Sequence, residues 1–285
     1  MTASRSVSRS ATRAPSRAPS RPPRPRIVAG VHLESAIARE LGGSDETPVI
    51  VVGMDEVGRG ALAGPVVVGA VALALPTTLT PPPMRDSKTL TDAARRRLVP
   101  EIKAWALAVG LGAASPQEID EHGLSVALSL AGHRAWASVC CQCGAAPAGL
   151  ILDGKDDWLT RGRSDSAVVG LGGPAPVVPR MVVKAEDQAA TVAAASIAAK
   201  VHRDDVMLGL HEHAPHFGWA GNKGYGSAQH RAAILSEGAS EYHRRSWNLG
   251  LPAPAVAAAQ PVDTRPGAAS AATQGTLEFE IEETP

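Results

Sequence analysis

Residues 53–65 read GMDEVGRGALAGP, with the carboxylates of Asp55 and Glu56 side by side at the end of an apolar run. Adjacent like charges repel unless protons or cations join them. Three further acids sit where other apolar runs end. Asp153 closes GLILD (149–153), and Glu186 and Asp187 follow the run that ends at Lys184. Strand ends of α/β sheets gather at one rim, where ligands bind, so four or five carboxylates from three distant segments can converge. Carboxylate, carbonyl and water oxygens suit Mg²⁺ and Mn²⁺. Two such ions activate a water and stabilise the leaving oxygen of a phosphodiester. Strict pleating sends Asp55 and Glu56 to opposite faces; a bend at the strand end and the longer Glu side chain would bring both to one point. The other reading of the pair is an exposed or helix-capping one. Gly58 and Gly60 weigh toward a site, because they flank Arg59 and permit positive φ and close approach of a ligand to the backbone.

The elements that must carry these residues alternate in type. Pro48 to Met54 and Gly64 to Leu75 are β-branched runs and read as buried strands of an initial hairpin. Asp86 to Leu90 (DSKTL) is a polar turn. Thr91 opens a helix, with Asp92 near its start and Arg95, Arg96 and Arg97 on its exposed side. Trp105 to Ala114 reads as a strand. Ser115 and Pro116 form a helix start, and Gly123 to Val139 is a second helical stretch. Gly149 to Asp153 and Val177 to Lys184 read as strands, with a Gly/Pro-rich loop over 162–176 before the latter. Ala189 to Leu210 is an Ala-rich helix. Together they predict an α/β domain with a mixed sheet and a helical part beyond residue 187.

Net charge is zero over 285 residues but unevenly placed. Residues 1–26 carry seven arginines and no acid, whereas residues 261–285 carry five acids against Arg265. Both ends are low-complexity sequence, which cannot bury a core and is expected to be disordered. The expected ordered domain spans 27–251, between a basic Arg/Ser/Pro tail (1–26) and an Ala/Pro linker with an acidic tail (252–285). The mildly acidic middle means that any nucleic acid must be met by a local basic groove or bound metal, not by bulk charge. Cys140, Cys141 and Cys143 lack the second ligand pair of a zinc site and read as partly buried thiols of a reducing compartment. No run approaches the ~20 apolar residues of a membrane span, and the start lacks a signal-peptide core. The expectation is a cytoplasmic monomer.

GMDEVGRGALAGPVVVGAV (53–71), DSKTL (86–90), ILDG (151–154), KAEDQAATVAAASIAAKVHRD (184–204), NKGYGSAQH (222–230) and HRRSW (243–247) resemble, in order, the blocks of ribonuclease HII, the type 2 ribonuclease H family. The resemblance covers residues 46–250. It implies an α/β fold: a ribonuclease H-like mixed β-sheet flanked by helices, with a helical C-terminal region. It implies an endonuclease that cuts the RNA strand of RNA–DNA hybrids and the 5′ side of ribonucleotides embedded in duplex DNA. The products carry 3′-hydroxyl and 5′-phosphate ends, the cofactor is Mg²⁺ or Mn²⁺, and the roles are ribonucleotide excision and hybrid removal. Asp55, Glu56 and Asp153 match the family's metal-binding acids. The fourth family carboxylate is an Asp two residues after a Lys. That register falls on Glu186 here, one methylene longer, with Asp187 beside it. Glu186 keeps the register, and Asp187 keeps the side chain.

Telling RNA from DNA rests on the 2′-OH. The backbone of Gly58, Arg59 and Gly60 suits that task, and Tyr225 offers a flat face and a hydroxyl. In the family the matching Tyr stacks on the sugar of the next nucleotide; from spacing alone Tyr225 is equally a turn aromatic. Lys88 matches a phosphate-contacting position, and Lys184 and Lys200 are similar cases, although each alone reads as a solvated lysine. Ser196, in the Ala-rich helix, faces the nucleic acid or packs as a small residue. His202, His230 and His243 read as structural, and Trp247 as a packing aromatic. Gln274 to Phe279 (QGTLEF) loosely resembles peptides that dock on sliding clamps; the other reading is an acidic terminus without a partner. Two other functions are open. One is a hybrid-binding protein with weakened catalysis, supported only by Glu186. The other is a resolvase, which would need no 2′-OH sensor.

Overall fold

The computed structural model describes residues 28–84 and 87–251. The expected tails, the clamp-like peptide from Gln274 to Phe279, and Asp86 of the polar turn lie outside the described residues.

β1 (Val49–Val57) and β2 (Val66–Leu75) pair as an antiparallel hairpin, in register from Val49↔Leu75 to Val57↔Val67. β3 (Ala108–Ala114) adds antiparallel to β2. β4 (Gly149–Asp153) runs parallel to β1, and β5 (Arg180–Val182) parallel to β4. The mixed sheet therefore has the order β3-β2-β1-β4-β5. Alternation divides the side chains between two layers. Ile50, Val52 and Met54 pack with Leu128, Ala131 and Trp136 of α3 (Pro116–Cys143). Val51, Val71 and Leu73 pack on the other face with α1 (His32–Glu40), α2 (Asp92–Trp105) and α6 (Ala190–His213).

α6 approaches the sheet closely because both surfaces lack bulk. A Cβ on Gly53 would lie 2.3 Å from Thr191 Oγ1, and one on Gly69 would lie 2.3 Å from the Ala195 carbonyl oxygen. The alanines of α6 are thus a consequence of where it packs. α7 (Trp219–Asn222) and α8 (Ala228–Glu237) form the helical C-terminal part around Phe217, Trp219 and Ile234.

Several local expectations change. The third strand begins at Ala108, because Trp105 is buried as the last residue of α2. Residues 162–176 are not all loop: α4 (Trp158–Arg161) leads into a 3₁₀ turn (Gly162–Ser164) and α5 (Ser166–Gly170). The Asp157 and Asp165 side chains cap α4 and α5. The strand expected over 177–184 shortens to β5, since Lys184 adopts a left-handed φ of 57° and turns the chain. Arg95 is not exposed beside Arg96 and Arg97. It is buried, and its Nη1 donates to the carbonyls of Ser87 (2.9 Å) and Leu90 (2.6 Å), tying the polar turn to α2. The three cysteines are free, with Cys141 exposed. Among the described residues no helix is long and apolar enough to cross a membrane.

Candidate active site

The β1–β4 ladder brings two acids together. Met54 pairs with Leu152, so the next residues, Asp55 and Asp153, stand level on adjacent parallel strands and on the same face. That face belongs to α6. Ser196 lies near enough to the Asp55 carboxyl to favour its charged form, and the Ala185 amide donates to Asp153 Oδ1 at 2.8 Å. Ser87 Oγ lies 2.9 Å from Ser196 Oγ, and either hydroxyl can donate. Both serines are buried, so Ser196 backs the acid from beneath.

β1 does not bend at its end. Its register continues through Glu56↔Val68 and Val57↔Val67, so Glu56 leaves the opposite face from Asp55. Arg59 Nη1 holds Glu56 Oε1 at 3.0 Å, while the buried Glu56 Oε2 has no hydrogen-bond partner among the described residues. Glu186 is buried in the 3₁₀ turn Ala185–Asp187, with Oε1 3.5 Å from Lys88 Nζ. Asp187, next to it, is half-exposed. Among the described residues no three His, Cys, Asp or Glu side chains stand close enough together to hold an ion. Asp55 thus stands level with Asp153, while Glu56 and Glu186 are each paired with a cation. The pleat sends Glu56 to the face opposite Asp55, where its side chain is still largely buried.

Burial, with the charges of Glu56 and Asp153 nearby, pushes the Asp55 carboxyl up to about 7. Burial also raises Glu56, against the pull of Arg59. Oxygen ligands this reluctant to ionise, including a buried carboxylate oxygen without a donor, are a set matched to a hard divalent cation.

Two buried arginines build the neighbouring loop. Arg244 donates to the carbonyls of Gly58 (2.7 Å), Arg59 (2.8 Å) and Gly64 (3.1 Å). Arg203 donates to those of Ala63 (3.1 Å), Pro65 (2.9 Å) and Lys223 (2.9 Å). Its guanidinium carbon also lies 5.4 Å from the centre of the Tyr225 ring. Gly58 has φ 91°, and a Cβ there would meet Arg203 Nε at 2.2 Å. Gly60 is different: it is exposed, lies outside the positive-φ region and has open space around it. Tyr225 is 38% exposed. Lys200 pairs with Asp204 at 2.5 Å, and Lys184 is exposed. Sequence reasoning missed Arg203 and Arg244, though both lie in the blocks it singled out. It also missed Glu34, a buried acid whose Oε1 accepts from the Thr191 amide (2.8 Å) and hydroxyl (2.9 Å) at the start of α6.

A mixed sheet in this order, covered by helices on both faces and with acids level on two adjacent parallel strands, is a ribonuclease H-like fold. Residues 52–249 match the family model for ribonuclease HII. The ribonuclease HII of Streptomyces avermitilis is 44% identical over 202 residues, which are 70% of this chain and 76% of that one. That of Thermus thermophilus is 41% identical over 202 residues, 70% and 86% of the two chains. The solved ribonuclease H2 of Pyrococcus horikoshii aligns with a TM-score of 0.54 at 25% identity, over 70% of this chain and 95% of that one. Bst-RNase HIII in complex with Mn²⁺ aligns with a TM-score of 0.52 at 25% identity, over 72% and 66%. The chain belongs to the ribonuclease HII family and is a ribonuclease H, an endonuclease of RNA–DNA hybrids.

Proposed function

We propose that this ribonuclease H also cuts on the 5′ side of single ribonucleotides embedded in duplex DNA, leaving 3′-hydroxyl and 5′-phosphate ends. One observation carries the reading. Buried Arg203 contacts both Gly58 and the Tyr225 ring, which joins the loop after Asp55 and Glu56 to a half-exposed aromatic as one frame beside the acids. In this reading the backbone of Gly58 to Gly60 meets the 2′-OH, and Tyr225 stacks on the following sugar. Asp55, Glu56, Asp153 and Glu186 would hold two Mn²⁺ or Mg²⁺ ions, which supply an activated water and stabilise charge at the leaving oxygen. Glu186 is preferred over Asp187 because its side chain is buried beside Lys88. The Ala185 amide orients Asp153, and Ser196, bonded to Ser87, lines the floor of the site near Asp55. Arg59 and Lys88 stand ready to contact phosphate. The resemblance of Gln274 to Phe279 to clamp-docking peptides extends the proposal to a sliding clamp as protein partner.

The test is a duplex with one ribonucleotide, incubated with Mn²⁺ or Mg²⁺ and read by product length and end chemistry. One cut 5′ to the ribonucleotide is expected; cuts confined to longer ribonucleotide runs would overturn the reading. Tyr225→Ala should lose about tenfold more activity on the single ribonucleotide than on an all-RNA hybrid. Lys88→Ala should lose equally on both, because a phosphate contact carries little sugar information.

A further inference from the structure

Behind Tyr225 lies a buried pair of imidazoles that the chemistry above does not use. His230, in the first turn of α8, and His243 are 0% and 1% exposed. His230 Nδ1 lies 2.9 Å from the Tyr225 carbonyl oxygen. Its Nε2 lies 3.0 Å from Trp219 Nε1 and 3.1 Å from His243 Nε2. An indole N–H only donates, so His230 Nε2 accepts and the ring proton sits on Nδ1, facing the carbonyl. His243 Nδ1 accepts from the Ser240 amide at 3.0 Å, so His243 carries its proton on Nε2, which shares the single lone pair of His230 Nε2 with the Trp219 N–H. The chain of donors runs from Ser240 through His243 and His230 to Tyr225, and it closes only with both rings neutral.

We propose that His230 is a positioning residue for Tyr225: its Nδ1–H fixes the Tyr225 carbonyl, and Trp219 and His243 fix the tautomer that makes this possible. The inference rests on the reading of Tyr225 as the residue that stacks on sugar. Elsewhere the segment between α7 and α8 is held at Lys223 by Arg203 and at Gly224 by the Leu62 and Ala63 amides; the Tyr225 carbonyl also accepts from the Ser227 amide at 2.8 Å, so His230 is its side-chain donor, reaching it from α8. The Tyr225 amide donates to the Asn222 carbonyl at 2.9 Å, and Arg203 lies against the ring. The surroundings favour the neutral pair. Burial lowers His230, helped by Arg231, and lowers His243 to about 4, helped by His230, Arg245 and His216. Asp120, Glu121 and Glu241 line a cleft on the outer side of His243.

Two amide substitutions separate the roles of the ring nitrogens. Asn places its amide near the position of Nδ1, and Gln near that of Nε2. His230→Asn therefore keeps a donor for Tyr225, whereas His230→Gln keeps the contact with Trp219 and His243 and loses that donor. The readout is kcat/KM on a single embedded ribonucleotide divided by kcat/KM on an all-RNA hybrid. His230→Asn should hold this ratio within about twofold of the unsubstituted protein, and His230→Gln should lower it about tenfold, the scale of one lost hydrogen bond. An unchanged ratio in His230→Gln overturns the proposal, and so does an equal fall in both variants, which would mark packing alone. Tyr225→Ala, measured alongside, keeps the two readings apart. If it leaves the ratio unchanged, the sensor reading falls. If it lowers the ratio and His230→Gln does not, only the positioning role falls. Should neither His230 variant fold, the ¹⁵N shifts of the unsubstituted protein decide: a proton on His230 Nδ1 supports the proposal, and one on Nε2 overturns it.

Discussion

Asp55 sits where three influences meet: it is buried, it stands level with Asp153, and the charge of Glu56 lies nearby. Asp55→Asn keeps the shape and removes the charge. If Asp55 is the metal ligand proposed above, cleavage should fall by roughly a thousandfold or more. Melting in a chelator should stay level or rise, because a charge that burial and its neighbours disfavour is gone. Cleavage at the wild-type rate would remove Asp55 from the site. The fourth acid is decided in the same way. Glu186 is buried beside Lys88 and Asp187 is half-exposed, so Glu186→Gln should cost orders of magnitude in rate and Asp187→Asn less than about twofold. Glu186→Asp should retain or raise activity. Reversed sensitivities on one embedded ribonucleotide would move the role to Asp187.

The loop after β1 is an element whose shape depends on buried guanidinium groups. Gly58→Ala would demand φ 91° of an alanine and a Cβ 2.2 Å from Arg203 Nε. Arg203 would have to leave the three carbonyls it serves. The expected cost is about 3 kcal/mol, or on the order of 10 °C in melting temperature. Gly60→Ala meets open space and no positive φ, so its cost should be near zero; equal losses at both positions would show that the Arg203 contact is not what demands glycine. The imidazole pair adds a pH signature. His243 is held at about 4 against an ordinary 6.5. Below 6.5 the unfolded chain gains a proton that the fold excludes, so this contribution is complete above 6.5 and lost as pH falls toward 4. The stability advantage of the unsubstituted protein over His243→Asn should therefore shrink between pH 7.5 and 5 in denaturant titrations; a constant difference would mean that His243 titrates normally. These elements also show what was legible in the sequence. The hairpin, the helix start at Ser115 and Pro116 and the Ala-rich helix were readable because their signals are local. The place of Asp153 at the end of its strand was readable because an apolar run stops there. Glu34 was not, since its partner Thr191 lies 157 residues away. Arg95, Arg203 and Arg244 were misjudged or missed because each is held mainly by backbone carbonyls, and a carbonyl acceptor leaves no trace in composition.

At the scale of the whole molecule, charge and chemistry separate along the chain. Every residue assigned to the site lies between Asp55 and Tyr225, inside the family match of 52–249, whereas seven arginines stand in residues 1–26. A protein that deletes 1–27 and 252–285 should therefore keep kcat on a single embedded ribonucleotide within about twofold. Binding is a different matter. Each cation that meets a phosphate releases condensed counterions, so affinity falls with salt at a slope of about −0.9 per contacted phosphate on a duplex. If the N-terminal arginines touch the substrate, the shortened protein should bind more weakly at 50 mM salt, show a shallower slope, and match the full chain near 300 mM. Identical slopes would show that the tail takes no part in substrate binding. A loss of kcat at saturating substrate and high salt would be more serious, because it would place part of the catalytic apparatus outside residues 28–251. The same pair of proteins tests the clamp. If Gln274 to Phe279 docks on one, the full chain should bind it in titration and the shortened chain should not. Equal binding by both would remove that peptide as the docking element while leaving the assignment of the acids untouched.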